Sequence, residues 1–373
     1  MNVSISRASG APTSADCRAI AALAVATAIS RLVYMPRGVM GFDGPDYINA
    51  LKLDGTFSVP MPGNIGYVLM AKVFTIAGFG PVWAYGLVGT VLSAAAAAFI
   101  YLFATLVFSR GLALATAAAV MTNALVWYHG VIMQSYIVWL ATLPAIAYFG
   151  LRLVRERTWA MVLAASLATG LSTILRPDLV LFGGPLLGAA LLLAWQRDGW
   201  NRRGLAWFAA AAAVCAVCCC AWFFGTAAIV GGVEKYLAMN RGKHEWHERF
   251  GVGAKGLVEG LARNGVKYAL FMAWGAHVAL GLGLVGAIVY LRSARTRLRA
   301  WVLAAAWVGP SLYFSWIIFM GNAGLVFPAT PLVYLAAAAG AAAMFGPRRA
   351  VLVMAALACI NAVQFTLTPI LRL

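Results

Sequence analysis

The side chains able to do chemistry are few in this chain, and they cluster. The stretch Gly41-Phe42-Asp43-Gly44-Pro45-Asp46-Tyr47 sets two carboxylates three positions apart just beyond the first apolar run. An acidic group at the lip of an apolar chain is costly unless water or a partner stabilises it, which makes Asp43 and Asp46 candidate catalytic groups. A carboxylate within hydrogen-bond reach of a hydroxyl can take its proton as the oxygen forms a new bond. Gly44 and Pro45 bend the chain, and Asp46 has a second reading as the cap of a helix starting near Tyr47. Asp43 precedes the bend and is expected to face the loop cavity.

A second cluster lies between Glu234 and Lys267. Arg241, Lys243, His244, His247 and Arg249 alternate there with Tyr236, Trp246 and Phe250. Cations and rings at headgroup level suit a lipid phosphate, and equally a plain surface helix drawn to anionic lipid. Arg241, Lys243 and Arg249 are candidate phosphate ligands. So is Arg176 of Arg176-Pro177-Asp178, which also has Asp178 beside it as an ion-pair partner. Tyr47, Tyr67, His129, Gln134, His244 and His247 are candidate cavity-lining residues. His244-Glu245-Trp246-His247-Glu248 lacks the i, i+4 histidine pair of a zinc protease. His244, His247 and Glu248 leave a divalent cation open, but no metal site and no cofactor are assigned.

These residues must be positioned by apolar elements, because there is little else. Of 373 residues, 63% are apolar and 10% charged, and the mean hydropathy is +0.86. A soluble domain is roughly 45–50% apolar and about 25% charged, so a water-facing globule is excluded. The expected fold is all-α: one integral membrane domain over 1–373 with about eleven transmembrane helices of about 20 residues each. The apolar runs fall at 18–35, 81–108, 111–128, 131–154, 159–175, 179–195, 205–230, 268–291, 300–320, 323–345 and 350–370. Between them lie two long loops, 36–80 and 231–267. The first carries a short apolar segment, 63–78, that contains Lys72 and reads as an interfacial or re-entrant helix. The net charge of +17 comes from 28 Lys and Arg against 11 Asp and Glu. Its arginines sit in short clusters between apolar runs, which fits cytoplasmic membrane loops rather than a nucleic-acid surface. That asymmetry predicts a cytoplasmic N-terminus, an outer C-terminus and both long loops outside. The polar stretch before the first run argues against a cleaved signal peptide. Cys215, Cys218, Cys219 and Cys220 share one apolar run and read as packing residues.

The Asp just past the first span, followed by Tyr47, Ala50 and Pro62-Gly63-Asn64-Ile65-Gly66-Tyr67-Val68-Leu69, resembles the first loop of GT-C glycosyltransferases. The bacterial protein O-mannosyltransferase-like membrane proteins are the nearest group in pattern. Further matches are Trp127 to Tyr136, Gly170 to Pro177, and Phe327-Pro328 to Pro331-Leu332. The chain departs from the pattern where no His precedes Pro62, where Asn64-Ile65-Gly66 widens the spacing, and where Gln134 stands in place of a Glu. The resemblance implies transfer of a sugar from a polyprenyl-phosphate carrier to a hydroxyl acceptor at the outer face of a bacterial inner membrane. The first-loop Asp would be the base or acceptor orienter. Two alternatives stand beside it: a non-catalytic assembly subunit built on the same scaffold, and a lipid or solute transporter.

Overall fold

The first helix shows how a polar residue anchors an apolar bundle. In α1 (Ser14–Val33), Asp16 Oδ2 accepts from the Thr13 backbone N–H at 2.9 Å while Thr13 Oγ1 accepts from the Asp16 N–H at 3.3 Å, a closed capping box. The other carboxylate oxygen accepts from the Tyr101 hydroxyl at 2.9 Å and from Arg110 Nε at 2.8 Å. One buried carboxylate therefore ties α1 to α4 (Pro81–Thr105) and α5 (Arg110–Thr122). The computed structural model describes residues 12–40, 43–52, 63–250, 256–292 and 297–368, and among these there are helices, turns and no strand.

The remaining helices follow in chain order. Two short ones, α2 (Gly44–Ala50) and α3 (Ile65–Ile76), precede α4. After α5 come α6 (Ala124–His129), α7 (Ile137–Glu156), α8 (Trp159–Leu175), α9 (Leu179–Arg197) and α10 (Arg202–Val230). Then follow α11 (Val233–Phe250), α12 (Leu257–Arg292), α13 (Arg297–Leu312), α14 (Thr330–Phe345) and α15 (Pro347–Leu367). A π-helical turn (Tyr313–Ile318) and a 3-10 turn (Ala323–Val326) separate α13 from α14.

Six of these helices, α4, α7, α9, α10, α12 and α15, are long and apolar enough to cross a membrane, and α3, α5, α8 and α14 are shorter apolar helices. Large apolar side chains such as Val217, Leu284 and Leu352 lie more than half exposed, as lipid-facing residues do. The protein is integral to a membrane. The expected run 111–128 is broken in two. Asn123 leaves the helical conformation (ψ 130°), and its Oδ1 accepts from the Leu125 and Val126 N–H groups to start α6. The expected loop 231–267 is mostly helix, because α11 fills its first half and α12 begins at Leu257.

Of the six long helices α7 is the most buried, and it lies against α4, α8 and α9. The tightest crossing is α12 on α14. A β-carbon at Gly340 would overlap the Leu282 carbonyl oxygen, and one at Gly286 the Ala336 carbonyl oxygen, so only glycine permits this approach. Side-chain hydrogen bonds between the connections mark two ends of the bundle. One end gathers Gln134–Tyr136 and Arg176–Asp178, linked by Arg176 Nη1 to Ser135 Oγ at 2.8 Å. The other gathers the arginine-rich connections, linked by Arg155 to the Leu106 carbonyl at 2.9 Å and Arg157 to the Arg197 carbonyl at 3.2 Å.

Candidate functional site

The site is assembled at the first of these ends from four chain segments: α2, the start of α3, the approach to α7 and the α8–α9 turn. Asp43 occupies the N-cap position of α2, with Pro45 in the first turn, and its side chain makes no capping bond. Asp46 lies exposed in that first turn, where the helix dipole favours a carboxylate. The cap position thus falls on Asp43, and the expectation that Asp46 caps this helix is corrected. One turn on, Tyr47 is buried and its hydroxyl donates to Ser135 Oγ at 3.0 Å. Its backbone carbonyl accepts from the Tyr85 hydroxyl at 2.7 Å. Tyr47, Tyr67 and Tyr85 form a triangle of rings with centroids 5.3 to 5.4 Å apart.

Asn64 precedes α3 and donates through Nδ2 to the Tyr47 hydroxyl at 2.9 Å and to Ser135 Oγ at 3.0 Å. Ser135 Oγ thus faces three donors with two lone pairs, while the buried Asn64 Oδ1 has no partner. Turning the Asn64 amide over would give the Ser135 and Tyr47 hydroxyls an acceptor and move the orphan to Nδ2. In either orientation one buried amide atom remains to be satisfied. Gly66 sets the position of this segment: a β-carbon there would lie 2.6 Å from the Ile174 carbonyl oxygen, so glycine lets α3 close on the end of α8.

That end of α8 delivers Arg176. Its Nε donates to Asp178 Oδ1 at 2.9 Å and Oδ2 at 3.0 Å, and its guanidinium lies 4.1 Å from the Trp139 ring centroid and 4.7 Å from that of Tyr136. Trp139 Nε1 donates to Asp178 Oδ1 at 3.2 Å. Both charged side chains are 11% exposed. Asp178 and two rings therefore already engage the guanidinium that was expected to hold a donor phosphate. Burial pushes the Tyr47 phenol up to about 12; the hydrogen bond with Ser135 and the charge of Arg176 oppose the rise, and the charge of Asp43 adds to it. Tyr136 is also pushed up, first by burial, with Arg176 opposing and Asp43 adding. Asp43 and Arg176 thus act on the same two phenols from opposite signs.

Beside this net, His129 is buried with Nδ1 2.9 Å from the Leu125 carbonyl and Nε2 3.1 Å from Asn322 Oδ1. Both partners are acceptors, so a neutral imidazole satisfies one of them. Asn322 Nδ2 reaches Gln134 Oε1 at 3.5 Å, and the Tyr67 hydroxyl reaches the Gln134 carbonyl at 3.4 Å. Tyr47, Tyr67, His129, Gln134 and Arg176 are therefore neighbours, largely buried and joined in one hydrogen-bonded and aromatic net. The second long segment joins through Tyr236 of α11, whose ring is 6.2 Å from that of Trp222, while Trp222 Nε1 donates to the Gly63 carbonyl at 2.8 Å. Farther along α11, Arg241 is exposed. The side chains of Lys243, His244, His247 and Arg249 lie outside the described residues.

No protein-family model and no curated protein matches the chain. Among the described residues, no three His, Cys, Asp or Glu side chains converge as metal ligands. Sequence reasoning missed Asn64, Ser135, Tyr136, Trp139, Tyr85 and Asn322 as members of the net. The expected span 131–154 runs through Gln134-Ser135-Tyr136, whereas α7 begins only at Ile137, after this polar stretch.

Proposed function

We propose that the chain is a GT-C-type glycosyltransferase that moves a sugar from polyprenyl phosphate to a hydroxyl acceptor at the outer face of a bacterial inner membrane. Eleven crossings follow if α1, α5 with α6, α8, α13 and α14 cross alongside the six long helices. The N-terminus is then cytoplasmic and the C-terminus periplasmic. The observation that carries the reading is the location of Asp43: a carboxylate at the end of the bundle, beside a net of donors drawn from α2, the start of α3, the approach to α7 and the α8–α9 turn.

In this reading the acceptor hydroxyl oxygen attacks the anomeric carbon and Asp43 takes its proton. The bond from that carbon to the phosphate oxygen breaks, and the electron pair leaves with the lipid phosphate. Positive charge must meet the phosphate as this develops. Arg241, Lys243 and Arg249 of α11 supply it, while Arg176, held by Asp178, orients Ser135 and through it Tyr47. The test is transfer in proteoliposomes charged with a polyprenyl-phosphate-linked hexose and a hydroxyl acceptor. Hexose should move to the acceptor with release of polyprenyl phosphate, and running the assay with and without a chelator reads out any divalent-cation requirement.

A second reading, a non-catalytic assembly subunit on the same scaffold, is favoured by one observation. The Arg176–Asp178 pair is complete in itself, so the net is satisfied largely from within. Absence of transfer together with co-purification of a membrane partner would support that reading.

A further inference from the structure

The opposite end of the bundle carries a compact basic and aromatic surface that the transfer reaction does not use. Four arginines come together where α7, α9 and α10 end or begin. Arg157 Nη1 donates to the Arg197 carbonyl at 3.2 Å, Arg203 Nη2 to the Arg157 carbonyl at 3.3 Å, and Arg202 adjoins Arg203 at the first turn of α10. The acidic groups here are Glu156, which pairs with Arg152, and Asp198, 3.8 Å from Arg157, whose second oxygen accepts from Asn201 Nδ2 at 2.8 Å. Charge at this corner is therefore strongly positive, and the positive end of the α10 dipole points into it.

Aromatic rings line the same corner. The α9–α10 connection turns through Gly199 (φ 86°) and Trp200 (φ 57°), and a left-handed backbone is costly for a bulky ring. The turn nevertheless leaves the Trp200 side chain 54% exposed. It is held by Trp195, with ring centroids 4.8 Å apart, and Trp195 Nε1 donates to the Asn201 carbonyl at 2.8 Å. Arg203 lies 5.1 Å from the Trp207 ring centroid, and Trp207 meets the half-exposed Trp159. Exposed Leu205 continues the surface toward the apolar part of α10.

We infer that this corner binds the headgroup of an anionic phospholipid. The phosphodiester would lie among Arg157, Arg202 and Arg203, the acyl chains along α10, and Trp200 at the level of the glycerol backbone. A soluble anion would use the charges alone, whereas the aromatic and apolar surface running from the arginines along a membrane helix fits a lipid. The site is independent of the glycosyltransferase reading.

The test is native mass spectrometry of the full-length, delipidated protein titrated with phosphatidylglycerol, with phosphatidylcholine as the neutral comparison. The Arg202→Gln/Arg203→Gln protein should bind phosphatidylglycerol about 30-fold more weakly, the effect of two interfacial charges. Arg348→Gln/Arg349→Gln, which removes two exposed arginines from the start of α15, should change it less than about twofold. Trp200→Ala keeps every charge and should also weaken the lipid complex. Soluble glycerol phosphate at the same concentration should not displace the lipid. Equal losses in the two arginine pairs would show diffuse charge attraction and overturn the inference, as would unaltered binding by Arg202→Gln/Arg203→Gln, or full displacement by glycerol phosphate.

Discussion

Arg176 and Asp178 are stable in a nearly dry place because each satisfies the other, and two rings cover the guanidinium face. Removing one partner strands the other. Arg176→Gln should therefore cost about 3–5 kcal/mol, and Arg176→Gln/Asp178→Asn distinctly less than the sum of the two single changes. Unfolding midpoints of the four proteins in one detergent read this directly. Arg176→Lys should fall between, because an ammonium loses the planar contact with Asp178 and the stacking on Trp139. At the same scale, Tyr47 gives a pH dependence. Its folded phenol is raised to about 12, whereas an unfolded one ionises near about 10. The stability it contributes is whole below about pH 10 and is lost as pH climbs toward about 12, because the unfolded chain then releases the proton first. Tyr47→Phe should flatten that alkaline limb of a stability-against-pH curve, and an unchanged limb would contradict the assignment.

Among the elements, the break at Asn123 shows what apolar periodicity conceals. A window near 19 residues sees one span, because a single Asn scarcely alters the average hydropathy of its neighbours. The side chain nonetheless ends α5 and starts α6, and its Nδ2 donates to the Gly275 carbonyl at 2.5 Å and to the Tyr334 hydroxyl at 3.1 Å. Asn123→Ala should destabilise by about 1 kcal/mol for the cap and about 1–3 more for the partners left behind, read from the same unfolding midpoints. Hydropathy located the long helices because each satisfies its backbone locally. The net around Ser135 was illegible for the converse reason: its partners Arg176 and Asn64 are 41 and 71 positions away, and no local rule links them. Asp43 and Arg176 were legible singly, as charges at the ends of apolar runs. That Asp178 and the rings occupy Arg176 was decided by packing, although the Arg-Pro-Asp spacing already permitted the pair.

For the whole molecule, the proposed reaction places the two ends of the bundle on opposite sides of the membrane. Single cysteines placed at Asp46 and Arg241 in a cysteine-free background should react with an impermeant reagent added outside. Cysteines at Arg157 and Arg348 should react only after permeabilisation. Labelling of Asp46 and Arg157 positions from the same side would refute that topology, and with it the placing of donor and acceptor at one face. In the proposed reaction the Asp43 carboxylate takes the acceptor proton, and one comparison of transfer rates decides this. Sugar transfer from a polyprenyl-phosphate-linked hexose is measured in proteoliposomes for the wild-type and Asp43→Asn proteins, matched for folding by their unfolding midpoints. Asp43→Asn should transfer about 100-fold or more slowly with the protein still folded, and equal rates for the two proteins would rule out Asp43 as the base.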